Sequence, residues 1–172
     1  HALDAAPAAT GAALFERIDC NAPMLNGLVH CAGVIHEKPL LETSIEEFDR
    51  VININLRGSF LVGQEAIRRL DGREGRILLT SSDLGVSGRE TFSPYVASKH
   101  GVLGLMRSWA KEFGPRIKVN ALCPGPIDTD MLGAAQMSPE WRARELAIPA
   151  ERFGKPEEVA AMAAFLMGDR KS

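Results

Sequence analysis

The stretch RILLTS at residues 76–81 decides the fold, because it is a short apolar run between two turn-forming segments. Residues 71–75 before it and the glycine-bearing residues 82–93 after it have the composition of a turn and a loop. Runs of the same kind occupy residues 27–31 and 117–123. Such runs predict buried strands, and longer stretches of helical period lie between them. The alternation indicates an α/β fold with a parallel sheet.

The segments outside the strands predict helices at residues 8–17, 44–70 and 94–113, and shorter helices that begin near residues 138 and 156. Thr43 and Ser44 are both N-cap candidates for the long second helix. We expect residues 159–166 of the last helix to form an ordinary core stripe. No repeat or linker divides residues 1–172, which predicts a single domain.

The composition argues against several functional classes. The 172 residues carry a formal net charge of −2, so no basic field points to a nucleic-acid partner. No apolar run approaches the roughly 20 residues that span a bilayer, and the first residues lack the pattern of a signal peptide. The cysteines Cys20, Cys31 and Cys123 form no close metal-binding pair, and their odd number argues against a closed disulfide framework. These features predict a cytoplasmic protein without a metal site or membrane partner.

Tyr95 is the only tyrosine of the chain, and Lys99 follows it by one turn of a predicted helix. The pair alone is weak evidence of function, because a half-exposed tyrosine beside a solvated lysine is the commoner arrangement. The chemistry of carbonyl reduction favours a functional pair. A phenol with a pKa near 10 is a poor acid–base group at neutral pH, and a nearby ammonium lowers that pKa toward the working range.

Three further motifs stand at characteristic distances from this pair. Ser82 lies thirteen residues before Tyr95, Asn55 lies in VININLRG at residues 51–58, and PGPIDTDM occupies residues 124–131. In content and order, the motifs of residues 28–166 resemble those of the classical short-chain dehydrogenase/reductase family, in particular the 3-oxoacyl-ACP reductases. The resemblance implies a Rossmann-type doubly wound parallel sheet. It also implies NAD or NADP as cofactor and hydride transfer to or from a carbonyl or secondary alcohol.

The resemblance assigns four catalytic residues. Tyr95 is the acid–base group, and Lys99 lowers its pKa and holds the nicotinamide ribose. Ser82 orients the substrate, and Asn55 holds a water of a proton relay. The serine before Ser82 and the nearby Asn53 are the competing candidates, and the family context selects Ser82 and Asn55. A pair of strand-end serines that cap a loop is the structural alternative.

The resemblance also implies cofactor-binding positions at the ends of the strands, where open α/β sheets bind ligands. They are Asp4, Ala5, Cys31, Ala32, Gly33, Tyr95, Lys99, Pro124, Gly125, Ile127 and Thr129. Asp4 matches the residue that meets the adenine amino group. The Ile127 backbone and the Thr129 hydroxyl match the groups that meet the nicotinamide carboxamide. Alternatively, Thr129 caps a following helix after a proline-forced turn.

The sequence departs from the family pattern in two respects. It has His30-Cys31-Ala32-Gly33 where the family has Asn-Asn-Ala-Gly. We expect His30 to donate similar hydrogen bonds and Cys31 to be a buried small hydrophobe rather than a reactive thiol. The glycine-rich phosphate turn, the residue that selects NAD or NADP, and the last strand have no counterpart in the sequence. We therefore expect the 172 residues to lack pieces of the natural protein at both ends.

The resemblance implies a small carbonyl or alcohol substrate and a homodimer or homotetramer. Residues 132–152, with Trp141, are expected to form a mobile cover over the substrate. Trp109 and Phe113 belong either to the core or to a subunit interface. Two rival interpretations share the fold. An epimerase or dehydratase of the extended branch also has the Tyr–Lys pair, and a dinucleotide sensor or scaffold protein keeps the fold without catalysis.

Overall fold

Three parallel strands lie side by side in the computed structural model, which describes residues 15–16, 24–70 and 72–168. The strands are β1 (Gly27–His30), β2 (Gly75–Thr80) and β3 (Ile117–Leu122), in that spatial order. Leu78 of β2 pairs with Val29 on one side and with Asn120 on the other, so the three carboxyl ends meet at one edge. The sheet confirms the predicted α/β class, and each strand ends one residue earlier than predicted.

Helices surround the sheet. They are α1 (Ile45–Val51), α2 (Gly58–Leu70), α3 (Leu84–Ser87), α4 (Ser93–Phe113), α5 (Pro139–Glu145) and α6 (Pro156–Met167), with 3₁₀ turns at Leu40–Glu42 and Ala134–Gln136. A π-helical segment, Ile52–Arg57, joins α1 to α2 within the predicted long helix. Ser44 rather than Thr43 caps this helix. The Ser44 hydroxyl accepts a hydrogen bond from the Glu47 N–H at 3.2 Å, and the Glu47 carboxylate accepts one from the Ser44 N–H at 2.8 Å.

The core lies around β2, whose side chains are buried on both faces. Ile77, Leu78 and Leu79 are each at most 1% exposed, as the uninterrupted apolar run of a covered parallel strand requires. Trp109 of α4 packs in one hydrophobic cluster with Ile77 and Leu79, and Phe113 packs against this cluster. Both aromatic residues therefore belong to the core of this chain rather than to a surface left free for a partner.

Two predictions of local structure are wrong. Residues 84–87 form α3 inside the segment predicted as an irregular loop, because the Asp83 carboxylate accepts the Leu84 N–H at 2.8 Å and caps the helix. The predicted core stripe at residues 159–166 is largely exposed, because no described element covers that face of α6. Met162 and Phe165 are 49% and 60% exposed. Of the helix predicted at residues 8–17, only 15–16 are described, and they are helical.

Candidate active site

A cleft of about 280 Å³ opens at the carboxyl edge of the sheet. Most of the predicted site residues line it, namely Cys31, Gly33, Ser82, Tyr95, Lys99, Pro124, Gly125, Ile127 and Thr129. Asn55 lies behind the lining and Ala32 outside it. Asp4 and Ala5 lie outside the described residues. The fold therefore brings predicted residues from four separate segments of the sequence into one concave site.

The π-helical segment places Asn55 between two other parts of the site. Its side chain is 1% exposed and ties the segment after β1 to α4. The amide oxygen accepts the Val34 N–H at 2.8 Å, and the amide nitrogen donates to the Val34 carbonyl and to the Ser98 hydroxyl, each at 2.9 Å. Both amide donors are thus used by the protein. The geometry makes Asn55 a structural tie, and its place in a water relay stays a prediction.

Lys99 is buried in the floor of the cleft. Its ammonium donates to the Thr80 carbonyl at 2.9 Å and lies 5.7 Å from the centre of the Tyr95 ring. Burial lowers the pKa of Lys99 to about 8, although the neighbouring thiols of Cys31 and Cys123 act in the opposite direction. Lys99 is therefore still mostly protonated at neutral pH, with most of its water shell replaced by protein.

Tyr95 is 8% exposed and packs edge-on against Phe92, with the ring centres 6.4 Å apart. Burial raises the pKa of Tyr95, the Ser82 hydroxyl lowers it as a hydrogen-bond partner, and the negative charge of Asp83 raises it. From the sequence, the lysine was expected to bring this pKa down toward neutrality. That expectation is wrong for this structure, because burial and the Asp83 carboxylate outweigh the stabilising hydrogen bond.

The two strand-end serines have different partners. The Ser81 hydroxyl donates to the Lys99 carbonyl at 2.8 Å, which fastens β2 to α4. The Ser82 hydroxyl donates instead to the Asp83 carboxylate at 2.9 Å and accepts the Leu84 N–H at 3.2 Å. Ser82 is also the hydroxyl that acts on the pKa of Tyr95, whereas the Ser81 hydroxyl is used within the fold, so these contacts favour Ser82 over Ser81, in agreement with the spacing argument.

The segment after β3 forms one wall of the cleft and is held by backbone hydrogen bonds. Ile127 and Gly154 form a parallel bridge, in which the Asp128 N–H donates to the Gly154 carbonyl at 2.9 Å and the Gly154 N–H donates to the Pro126 carbonyl at 3.0 Å. The Thr129 hydroxyl donates to the Ile127 carbonyl at 3.3 Å. A turn follows Thr129, so the alternative in which it caps a helix is wrong.

The sequence predicted a buried Cys31 and a hydrogen-bonding His30 at the end of β1, and both predictions are wrong. Cys31 is exposed and lines the cleft, where its sulfur accepts a hydrogen bond from the Thr80 hydroxyl at 3.4 Å. Its place one residue beyond the strand end is what takes it out of the core. The Nε2 atom of His30 is buried without a hydrogen-bond partner among the described residues. Burial and the charge of Lys99 lower the pKa of His30, which favours the neutral ring.

A cluster at the outer end of the cleft was not predicted from the sequence. Arg89 pairs with Glu145 of α5 at 2.6 Å, and its guanidinium lies 5.1 Å from the centre of the Phe92 ring and 5.0 Å from a ring centre of Trp141. We call these four residues the Arg89 cluster. All of them line the cleft, so Trp141 and Glu145 of the segment 132–152 contribute to the site, and the role of that segment as a mobile cover stays a prediction. Asp83 was also missed, since one acidic residue in a loop carries no sequence signal of its own.

The cleft has the features required to hold the nicotinamide and ribose end of a dinucleotide. A Cβ atom on Gly33 would lie 3.3 Å from the Asn55 amide oxygen and 3.4 Å from the Lys99 ammonium, so glycine keeps the backbone close to both groups. Lys99 donates to one protein acceptor in the described part of the chain, which leaves two N–H groups for ligand hydroxyls. The described residues contain no cluster able to hold a metal ion, and no described helix is long and apolar enough to cross a membrane.

Comparison with known proteins agrees with this geometry. A family model described as enoyl-(acyl carrier protein) reductase matches residues 1–172. The 3-oxoacyl-[acyl-carrier-protein] reductase of Thermotoga maritima is 43% identical over 150 residues, and that of Aquifex aeolicus is 38% identical over 160 residues. The two matches cover 84% and 92% of this chain but 59% and 64% of the relatives, so the chain spans about three-fifths of their length.

A solved structure gives the same likeness in three dimensions. The ligand-free aldohexose dehydrogenase of Thermoplasma acidophilum superposes with a TM-score of 0.86 at 30% identity, over 96% of this chain and 69% of that one. The likeness therefore extends over nearly the whole of this chain.

Proposed function

Because the chain belongs to the short-chain dehydrogenase/reductase family, we propose that the protein transfers a hydride between a nicotinamide cofactor, NAD or NADP, and a carbonyl or secondary alcohol carbon. The observation that carries the proposal is the convergence of Tyr95, Ser82 and Lys99 in one cleft at the carboxyl edge of the sheet. The names of the relatives, a 3-oxoacyl reductase and an aldohexose dehydrogenase, support oxidation or reduction at such a carbon.

In this proposal Tyr95 supplies the proton that carbonyl reduction requires. The bound cofactor supplies the hydride, and the carbonyl oxygen then needs a proton as its negative charge develops. The phenol of Tyr95 is protonated in the free site, because its pKa is raised. Ser82, beside it, orients the same oxygen by a second hydrogen bond. In the reverse direction, Tyr95 accepts the proton of the alcohol.

Lys99 has two roles in the proposed reaction. Two of its N–H groups remain for the hydroxyls of the nicotinamide ribose, while the third holds the Thr80 carbonyl. Its positive charge stabilises the phenolate that Tyr95 becomes after it gives up its proton. Ile127 and Thr129, on the wall after β3, would hold the carboxamide end of the nicotinamide.

We further propose that the protein acts in the cytoplasm as a homodimer or homotetramer on a small substrate. Large apolar side chains on α1 and α2 support self-association. Ile45, Phe48 and Phe60 are 65%, 37% and 41% exposed, and large exposed apolar side chains favour burial against a second copy.

The proposal is tested by measuring NADH and NADPH oxidation by the full-length protein with a panel of 3-oxoacyl thioesters, ketoses and cyclic ketones. We expect turnover with at least one member, and a loss of about 10²- to 10⁴-fold in kcat for Tyr95→Phe with cofactor binding unchanged. Asp49→Asn, an exposed change on α1, is the matched control. Cofactor binding without turnover on any member would favour a sensor, and a Tyr95→Phe rate within a fewfold of the parent would refute the role of Tyr95.

A further inference from the structure

The outer end of the cleft is the part that the proposed cofactor contacts leave for the substrate, because Lys99 and the wall after β3 are assigned to the cofactor. The Phe92 ring centre lies 6.4 Å from that of Tyr95, and the Arg89 guanidinium lies 5.1 Å from the centre of the Phe92 ring. The Arg89 cluster therefore begins one ring away from the proposed proton donor. A substrate whose carbonyl oxygen meets Tyr95 has its substituents within reach of this cluster.

Apolar side chains account for much of the cleft lining outside the cofactor side. They are Ile35, Leu84, Phe92, Met131, Leu132 and Trp141. Only two cationic residues, Arg89 and Lys99, line the cleft in the described part of the chain. Since Lys99 is assigned to the ribose of the cofactor, Arg89 is the remaining cation that could pair with an anionic group of a substrate.

The charge of Arg89 is already neutralised by Glu145. The two side chains pair at 2.6 Å and are only 16% and 9% exposed. The guanidinium also lies 5.0 Å from a ring centre of Trp141, which covers it further. A substrate carboxylate could take Arg89 only by leaving the Glu145 carboxylate unpaired in a largely buried place, which is strongly unfavourable. The other two carboxylates of the lining, Glu37 and Asp83, would repel such an anion as well.

We propose that Glu145 is a specificity-determining residue, which neutralises Arg89 and so restricts the outer end of the cleft to uncharged substrates. The inference rests on the proposed function and names the substrate class as neutral carbonyl compounds and their alcohols, esters and thioesters included. A neutral substrate packs against Phe92 and Trp141 and leaves the ion pair intact. By the same reasoning, replacement of Glu145 uncovers the positive charge of Arg89 for an anion.

An ion pair that only holds α5 in place is the competing explanation. Loss of such a support would lower the turnover of charged and uncharged substrates together. Loss of charge neutralisation changes the ratio between them, and the result depends on which partner is replaced. Glu145→Gln leaves Arg89 positive and favours an anion, whereas Arg89→Gln removes the cation and does not. Glu90→Gln is the matched control, because Glu90 pairs with Arg144 of α5 outside the cleft lining.

The experiment measures kcat/KM of the full-length protein for 3-, 4- and 5-oxohexanoate and for the methyl ester of each acid, so that the carboxylate stands at three distances from the ketone. We expect the parent to prefer each ester by about tenfold or more, because the acid loses its hydration in the cleft. In Glu145→Gln the acid-to-ester ratio should rise by about 10- to 100-fold for at least one pair.

Arg89→Gln and Glu90→Gln should give no such rise in the ratio. A parent that uses the acids as well as the esters would overturn the inference, and so would a ratio in Glu145→Gln that rises no further than in Glu90→Gln. The comparison in the parent involves no substitution, so it tests the inference even if Glu145→Gln fails to fold.

The two proposals fail differently. If the parent reduces no ketone at all, the proposed function fails, while binding of the same acids and esters still tests the role of Glu145. Binding is followed as the quenching of tryptophan fluorescence that Trp141→Phe removes, and Glu145→Gln should tighten binding of the acids relative to the esters. If the parent is active and Glu145→Gln leaves the acid-to-ester ratio unchanged, the function stands and the role of Glu145 is refuted.

Discussion

The Arg89 cluster allows the energy that holds α5 against the cleft to be measured. Removing one partner of a fully buried ion pair costs about 3–5 kcal/mol. The side chains of Arg89 and Glu145 remain 16% and 9% exposed, so we expect about 2 kcal/mol for Glu145→Ala. Arg89→Ala also removes two cation–π contacts worth about 0.5–1 kcal/mol each. It should therefore cost about 3–4 kcal/mol and be the more damaging of the two.

The assay is a double-mutant cycle by urea unfolding of the full-length protein, with Arg89→Ala, Glu145→Ala and both changes. We expect a coupling energy of about 1–2 kcal/mol between the two side chains. In kinetic assays of the same variants, the KM for the substrate should rise more than kcat falls, because α5 borders the cleft without supplying the proton. The pair Arg152–Glu158, whose side chains are 58% and 48% exposed, is the matched control and should show no coupling beyond error. Equal coupling in both pairs would refute this account, as would an Arg89→Ala variant no less stable than Glu145→Ala.

Two further predictions concern the floor of the cleft. The pKa of Lys99 is lowered from 10.5 to about 8, so between these pH values the unfolded chain binds more protons and stability rises with pH. Lys99→Met should therefore abolish activity but raise the free energy of unfolding by about 1–3 kcal/mol at pH 7. In urea unfolding, this gain in stability should shrink toward about pH 10. An equal gain at both pH values would contradict the burial argument. Gly33→Ala would place a Cβ 3.3 Å from the Asn55 amide oxygen. We therefore expect cofactor binding, measured by fluorescence quenching, to weaken more than thermal stability falls. A larger loss of thermal stability than of cofactor binding would show that Gly33 serves folding alone.

The elements of the fold and the reacting side chains could be predicted from short-range patterns. β2 is an uninterrupted apolar run, and the N-cap Ser44 is followed by Glu47 at the capping-box distance. The spacing of Tyr95 and Lys99 on one helix indicates their proximity because helical geometry fixes it.

The interactions that tune the site could not be predicted, because they join residues distant in sequence or depend on one atom's direction. Arg89 and Glu145 lie 56 positions apart and meet only because α5 folds back over the cleft. The hydrogen bond from the Ser82 hydroxyl to the Asp83 carboxylate depends on the direction of one side-chain atom. Cys31 was expected to be buried by analogy with other small apolar residues, and its position one residue past the strand end decides otherwise.

The proposed function depends on one step, in which Tyr95 gives a proton to a substrate that receives hydride from the nicotinamide. The most direct measurement follows the product of a ketone substrate, by mass spectrometry, when the full-length protein is supplied with NAD(P)H deuterated at the transferred position. We expect an alcohol one mass unit heavier from the parent protein, and we expect Tyr95→Phe to form that alcohol about 10²- to 10⁴-fold more slowly. An unlabelled alcohol from the parent, or labelled alcohol formed at the parental rate by Tyr95→Phe, would contradict this step.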